Sequence, residues 1–182
     1  MVVRQTNASG APDDRHLPDQ AAALAEHAVR VLGKAQRRGM TLATAESCTG
    51  GLLASLLTDQ DGLGHCFDRG FVTYTEQAKC DMLGIEKVEI ERHGAVSAPI
   101  AGAMARGTLN RSQAAVALSI TGFAGPAGPG EEPGLVHLAC LARDGPLVER
   151  ECHFGPLGRE RIRSLAVQRA LEMIEEAVER AG

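Results

Sequence analysis

The chain has 182 residues, 44% of them hydrophobic and 23% charged, a balance that fits one globular domain and excludes wholesale disorder. Nineteen Lys and Arg against 23 Asp and Glu leave a net charge of −4, the wrong sign for an electrostatic nucleic-acid binder. With 3% aromatic residues, no Trp and one Tyr, a base-stacking platform has almost nothing to build on, so no nucleic-acid partner is expected.

The sequence contains neither a run of about 18 apolar residues nor an apolar N-terminal segment, so no membrane association is expected and the expected location is cytoplasmic. Five scattered cysteines form no C-x-x-C pair and read as reduced thiols. Six dispersed histidines show no ligand spacing, so no metal is expected.

Residues 1–18 carry no periodicity and are expected to form a flexible leader outside a single domain at 19–182. From Asp19, the expected cap, Leu24, Ala28, Val31, Leu32 and Ala35 recur at helical spacing until Gly39. Thr41 to Ala45 then reads as a strand, Ser47 to Gly50 as a bend, and Gly51 to Leu57 as a helix. A β-prone run at Gly70 to Tyr74 precedes a helix from Glu76 to Leu83, with Thr75 as cap and Gly84 as stop. Ser97 caps the next helix, with Pro99 in its first turn, to about Asn110. Ala114 to Thr121 is a continuous apolar run of the kind found in a strand covered on both faces. After a Gly/Pro loop, Leu135 to Ala142 and Leu147 to Phe154 flank an Asp-Gly turn, a hairpin signal. An amphipathic helix from about Arg159 to Ala181 closes the chain. The order predicts an α/β fold, a three-layer α/β/α domain with a mostly parallel mixed sheet and an antiparallel edge hairpin.

Three loops combine glycines with hydroxyls where strands end: Glu46 to Gly51, Thr121 to Pro126, and the stretch through Gly130. The first could receive an anion or oxyanion on freed N–H groups, although a hydroxyl before a helix is more often an ordinary cap. It lacks the G-x-x-x-x-G-K-[ST] pattern of a phosphate-binding loop. Lys79 opposes the dipole in its helix's first turn, which with burial would lower its pKa and suit it to deprotonate a serine. An exposed lysine beside a half-buried Tyr74 fits the pattern alone at least as well.

The runs Ala45-Glu46-Ser47-Cys48-Thr49-Gly50-Gly51, Arg69-Gly70-Phe71-Val72-Thr73-Tyr74, Ala78-Lys79, His93-Gly94-Ala95-Val96-Ser97 and Thr121-Gly122-Phe123-Ala124-Gly125-Pro126 resemble the CinA carboxy-terminal domain family from about Asp19 onward. These are stand-alone or fused nicotinamide-nucleotide amidohydrolases. The resemblance implies hydrolysis of the carboxamide of nicotinamide mononucleotide to nicotinic acid mononucleotide and ammonia, with no metal or organic cofactor. It implies Ser47 as nucleophile, Lys79 as its base, Tyr74 as an assisting hydroxyl, Thr121 as a substrate contact and Arg159 as a holder of the nucleotide. N–H groups around Thr49, Gly50 and Gly51 would receive the oxyanion, Gly122 and Gly125 would line the substrate, and a homo-oligomer is implied.

Two runs depart from the family pattern. Glu132-Pro133-Gly134 stands where Lys-Pro-Val-Gly is usual, and Leu157-Gly158-Arg159 where Gly-Asp-Arg is usual. The first reverses a charge and is the best support for the alternative, a non-catalytic nucleotide-binding or regulatory module on the same fold. The larger N-terminal domain of fused members, to which a pyrophosphatase activity is attributed, has no counterpart in an 18-residue leader, so that second activity is not expected. A role as a DNA-uptake partner has only the family's competence-related name behind it.

Overall fold

A computed structural model describes residues 2–7, 17–126 and 128–180. A six-stranded mixed sheet runs through it, built from β1 (Val2–Asn7), β2 (Leu42–Glu46), β3 (Phe67–Val72), β4 (Val116–Gly122), β5 (Leu135–Ala142) and β6 (Leu147–His153), in the order β1-β6-β5-β4-β2-β3. Strands β3, β2 and β4 run parallel to one another, β4, β5 and β6 pair antiparallel, and β1 lies parallel to β6.

Helices α1 (Leu17–Arg37), α2 (Leu52–Thr58) and α6 (Arg159–Arg180) pack together on one face of the sheet. On the other face lies α5 (Ala98–Asn110), with α3 (Glu76–Leu83) and α4 (Lys87–His93) against it. The larger core joins α1, α2 and α6 to the sheet through residues such as Leu32, Leu53, Leu118, Leu138, Ile162 and Ile174. Smaller clusters under α5 use Ala45, Leu83, Ile100 and Met104, and Ala101, Ala105, Ala139 and Leu147. This is the three-layer α/β/α domain that the order of elements predicts. Two of its caps also form as read. Thr75 Oγ1 accepts from Ala78 N–H at 3.1 Å, and Ser97 Oγ accepts from Ile100 N–H at 3.4 Å.

Differences fall where periodicity is weak. Within the stretch read as a flexible leader, Val2–Asn7 forms β1 at the sheet's outer edge, so the hairpin β5–β6 is covered on that side. The chain enters α1 at Leu17, which puts Asp19 inside the helix and not at its cap. The short α4 escapes the sequence because Ile90 is its one buried side chain. Strand β3 begins at Phe67 and ends at Val72, displaced from the Gly70–Tyr74 run, because an edge strand with mostly exposed side chains shows no alternation. Tyr74 thus lies beyond the strand. All five cysteines are free.

Candidate active site

The site begins where β2 ends. Ser47 N–H donates to the Ile120 carbonyl at 3.0 Å, which holds the residue beside the end of β4 as the chain turns toward α2. Gly50 and Gly51 close that turn with φ of 61° and 93°, left-handed values that a side chain resists. Gly50 N–H then reaches back to the Ser47 carbonyl at 3.1 Å.

Glu46, fully buried, fixes the far side of the turn. One carboxylate oxygen accepts from the N–H groups of Gly51 and Leu53, each at 3.1 Å, and the other from Ala54 N–H at 2.8 Å. Those are the orphan donors at the start of α2, and an anion there also satisfies the helix dipole. The sequence reading offers Thr49, Gly50 and Gly51 as oxyanion donors. Gly50 and Gly51 are engaged, by Ser47 and Glu46 respectively, so among the described residues only the Thr49 N–H of the three lacks an internal acceptor.

Lys79 reaches the turn from α3. Its side chain is 1% exposed, and Nζ lies 3.1 Å from Ser47 Oγ and 2.8 Å from the Thr73 carbonyl. Thr73 is itself tied to β2, its N–H donating to the Glu46 carbonyl at 2.8 Å. Burial holds the Lys79 ammonium below its ordinary pKa, an effect that Cys48, Glu76 and Cys80 only partly oppose. A neutral amine so placed can take the Ser47 proton. The neighbouring Cys48 thiol is pushed up to about 12, chiefly by burial, and stays protonated.

The other residues singled out from the sequence divide. Thr121, at the end of β4, is buried and donates its hydroxyl to the Ala95 carbonyl at 2.8 Å, tying the His93–Ser97 segment to the sheet. Gly122 closes β4, and Gly125 lies against the exposed Arg159 guanidinium, so the Thr121–Pro126 loop and the start of α6 meet. Tyr74 is not drawn in. It is 64% exposed, and its hydroxyl makes no hydrogen bond among the described residues.

Two participants were missed. Glu46 opens the quoted loop but the sequence reading gives it no role there, and only its buried contacts reveal it as a clamp. Arg163, one turn after Arg159 on α6, donates through Nε (3.1 Å) and Nη2 to the Thr49 carbonyl. Its i, i+4 spacing from Arg159 was the available signal. The aberrant Glu132 accepts from His153 Nδ1 at 2.8 Å, and His153 Nε2 faces Glu151 at 2.9 Å. The hydrogen bond to Glu132, reinforced by Glu151, raises the His153 pKa. Among the described residues no group of three or more His, Cys, Asp or Glu is placed to hold a metal, and no helix is long and apolar enough to cross a membrane.

A buried serine–lysine pair at the end of a central strand, in a three-layer α/β/α domain, defines the class of protein. Residues 24–178 match the CinA C-terminal domain model, and the chain belongs to that family. The Escherichia coli K12 protein called nicotinamide-nucleotide amidohydrolase PncC is 44% identical over 140 residues, covering 75% of this chain and 84% of that one. A CinA-like protein of Syntrophobacter fumaroxidans is 47% identical over 148 residues, which cover 80% of this chain but 34% of the relative, so the chain spans about a third of that protein's length. Among solved structures, the competence/damage inducible protein CihA of Agrobacterium tumefaciens superposes with a TM-score of 0.82 at 45% identity, covering 86% of this chain and 95% of that one.

Proposed function

We propose that this protein is an amidohydrolase that cleaves the carboxamide of nicotinamide mononucleotide, releasing nicotinic acid mononucleotide and ammonia. The observation that carries the reading is the 3.1 Å approach of a buried Lys79 amine to Ser47 Oγ. Neutral Lys79 takes the Ser47 proton as Oγ attacks the amide carbon, and the oxyanion forms beside the Ser47–Gly51 turn. The Lys79 ammonium then gives its proton to the amide nitrogen, the C–N bond breaks, and ammonia leaves an acyl-Ser47 ester. Water adds to that ester, Lys79 taking its proton and returning it to Ser47 Oγ, and the carboxylic acid departs. One oxyanion donor is worth about 3 kcal/mol of barrier.

The substrate class rests on the 44% identity to the amidohydrolase named above and on the exposed Arg159 at the start of α6, which suits a phosphate monoester. Tyr74 and Thr121 complete the proposed set. Purified protein incubated with nicotinamide mononucleotide should release stoichiometric ammonia and nicotinic acid mononucleotide, in chelator as well as without it. Saturable binding with no ammonia would favour the non-catalytic module, for which Glu132 is the supporting residue. Loss in chelator with return on adding a divalent ion would remove the serine–lysine mechanism.

A further inference from the structure

The peptide plane between Thr49 and Gly50 is held at both ends. Its N–H donates to the Ser47 carbonyl at 3.1 Å, and its carbonyl receives the Leu52 N–H at 3.2 Å together with the Nε and Nη2 of Arg163. Two successive glycines with left-handed φ follow that plane and place no side chain against a flip, so these hydrogen bonds, the paired contact from Arg163 among them, are what hold it. A flip would withdraw the N–H from Ser47 and release the carbonyl of the nucleophile itself. Gly50 also leaves the space that Arg163 occupies, because a Cβ there would stand 3.2 Å from Nη2. The charge is felt at the turn as well, since Arg163 is among the groups that favour the thiolate of Cys48, the residue after Ser47.

We propose that Arg163 is a positioning residue for the nucleophile, locking the Thr49–Gly50 peptide from α6 so that Ser47 Oγ stays within reach of Lys79. The proposal rests on the amidohydrolase reading, and it adds a direction of coupling. Arg159, one turn earlier on the same helix, lies on the Thr121–Pro126 loop, whereas Arg163 lies on the Ser47–Gly51 turn. Alpha-helix α6 is therefore a rigid link between the loop that would meet the nucleotide and the turn that carries the reacting oxygen.

The test is Arg163→Ala, a half-buried position on a long helix whose packed face is elsewhere. With nicotinamide mononucleotide, kcat should fall by about a hundredfold, the scale of a misplaced reacting group, while KM stays within about threefold. Arg163→Lys keeps the charge but loses the planar fork, and should recover only part of the loss. Guanidinium ion at millimolar concentration should restore part of the Arg163→Ala rate, and sodium chloride at equal ionic strength should not. A kcat equal to wild type, a loss matched by a fall in thermal midpoint, or rescue by salt alone would each overturn the proposal. A readout independent of the substrate is phosphonylation of Ser47 by a fluorophosphonate, in which Oγ bonds to phosphorus and fluoride leaves. That rate should fall in parallel in Arg163→Ala. If wild type is labelled but hydrolyses no nicotinamide nucleotide, the substrate assignment fails while the role of Arg163 is still decided by the labelling rates.

Discussion

Replacing Glu46 by glutamine tests how the Ser47–Gly51 turn is built. The carboxylate accepts three backbone N–H groups, two on one oxygen and one on the other, in a side chain with no solvent exposure. Glutamine keeps one oxygen, which can serve Gly51 and Leu53, but it turns an NH2 toward the Ala54 N–H. One charge-assisted bond is lost and one buried donor is left unsatisfied, at a cost of about 2–4 kcal/mol. For a chain of this size each kcal/mol moves the thermal midpoint by about 2–4 °C, so Glu46→Gln should melt about 5–15 °C below wild type. Glu46→Ala loses all three bonds and should fall further, toward the limit of a net stability of about 5–15 kcal/mol. Glu46→Asp keeps the charge but shortens the reach by one methylene, and should lie between wild type and Glu46→Ala. The assay is circular dichroism with heating at neutral pH, with ammonia release measured well below the midpoint. Because Ser47 is the next residue, turnover should drop even where Glu46→Gln is fully folded. A midpoint within about 2 °C of wild type would refute the reasoning, since a buried clamp on three donors cannot be exchanged at so little cost.

Ser47→Ala and Lys79→Ala should each lower kcat by several powers of ten, and the double variant should be little worse than either, because a nucleophile and its base act in one step; multiplicative losses would separate them. The kcat/KM profile should rise with pH and level off below the 10.5 of an ordinary lysine, since the base must be neutral and burial of Lys79 depresses its pKa. The same depression makes the unfolded chain bind more protons between the two pKa values, so stability should increase with pH through that window, and this slope should vanish in Lys79→Met. Glu132→Lys should lower KM for an anionic nucleotide with little change in kcat, and should lower the His153 pKa measured by NMR, because the Glu132 hydrogen bond is the largest cause that raises it. An unchanged KM would take this loop out of the phosphate site.

The layered fold was legible because its helices are amphipathic or capped and β4 is apolar throughout, so periodicity and end signals agree in the elements that build the core. The misses share a different physical cause. Strand β3 and helix α4 bury few side chains, so tertiary contact and not pattern decides where they begin and end. The Ser47–Gly51 turn was readable as a glycine-rich bend after a strand, and Lys79 as a cation misplaced at a helix start. The distance between them was not, because it depends on how α3 docks below β2, a relation between residues 32 positions apart. Tyr74 shows the opposite limit. Its place in a motif says what chemistry it could do, whereas its 64% exposure is set by the edge position of β3.

The buried charges also determine where an anion can bind. A glycine-rich turn opening a helix invites the reading of an anion receptor, yet Glu46 already fills that role for α2 and leaves the helix end with its donors spent. A second anion at the same place would face the fully buried Glu46 carboxylate, where like-charge repulsion is weakly screened. On the other side of the turn stands the Arg163 guanidinium, with Arg159 exposed one turn away. The positive potential of the site therefore comes from the first turns of α6 and not from α2. In the proposed reaction Lys79 becomes an ammonium as charge develops on the substrate oxygen, and both it and Arg163 are already held by backbone carbonyls, so neither group needs to reorganise as that charge appears.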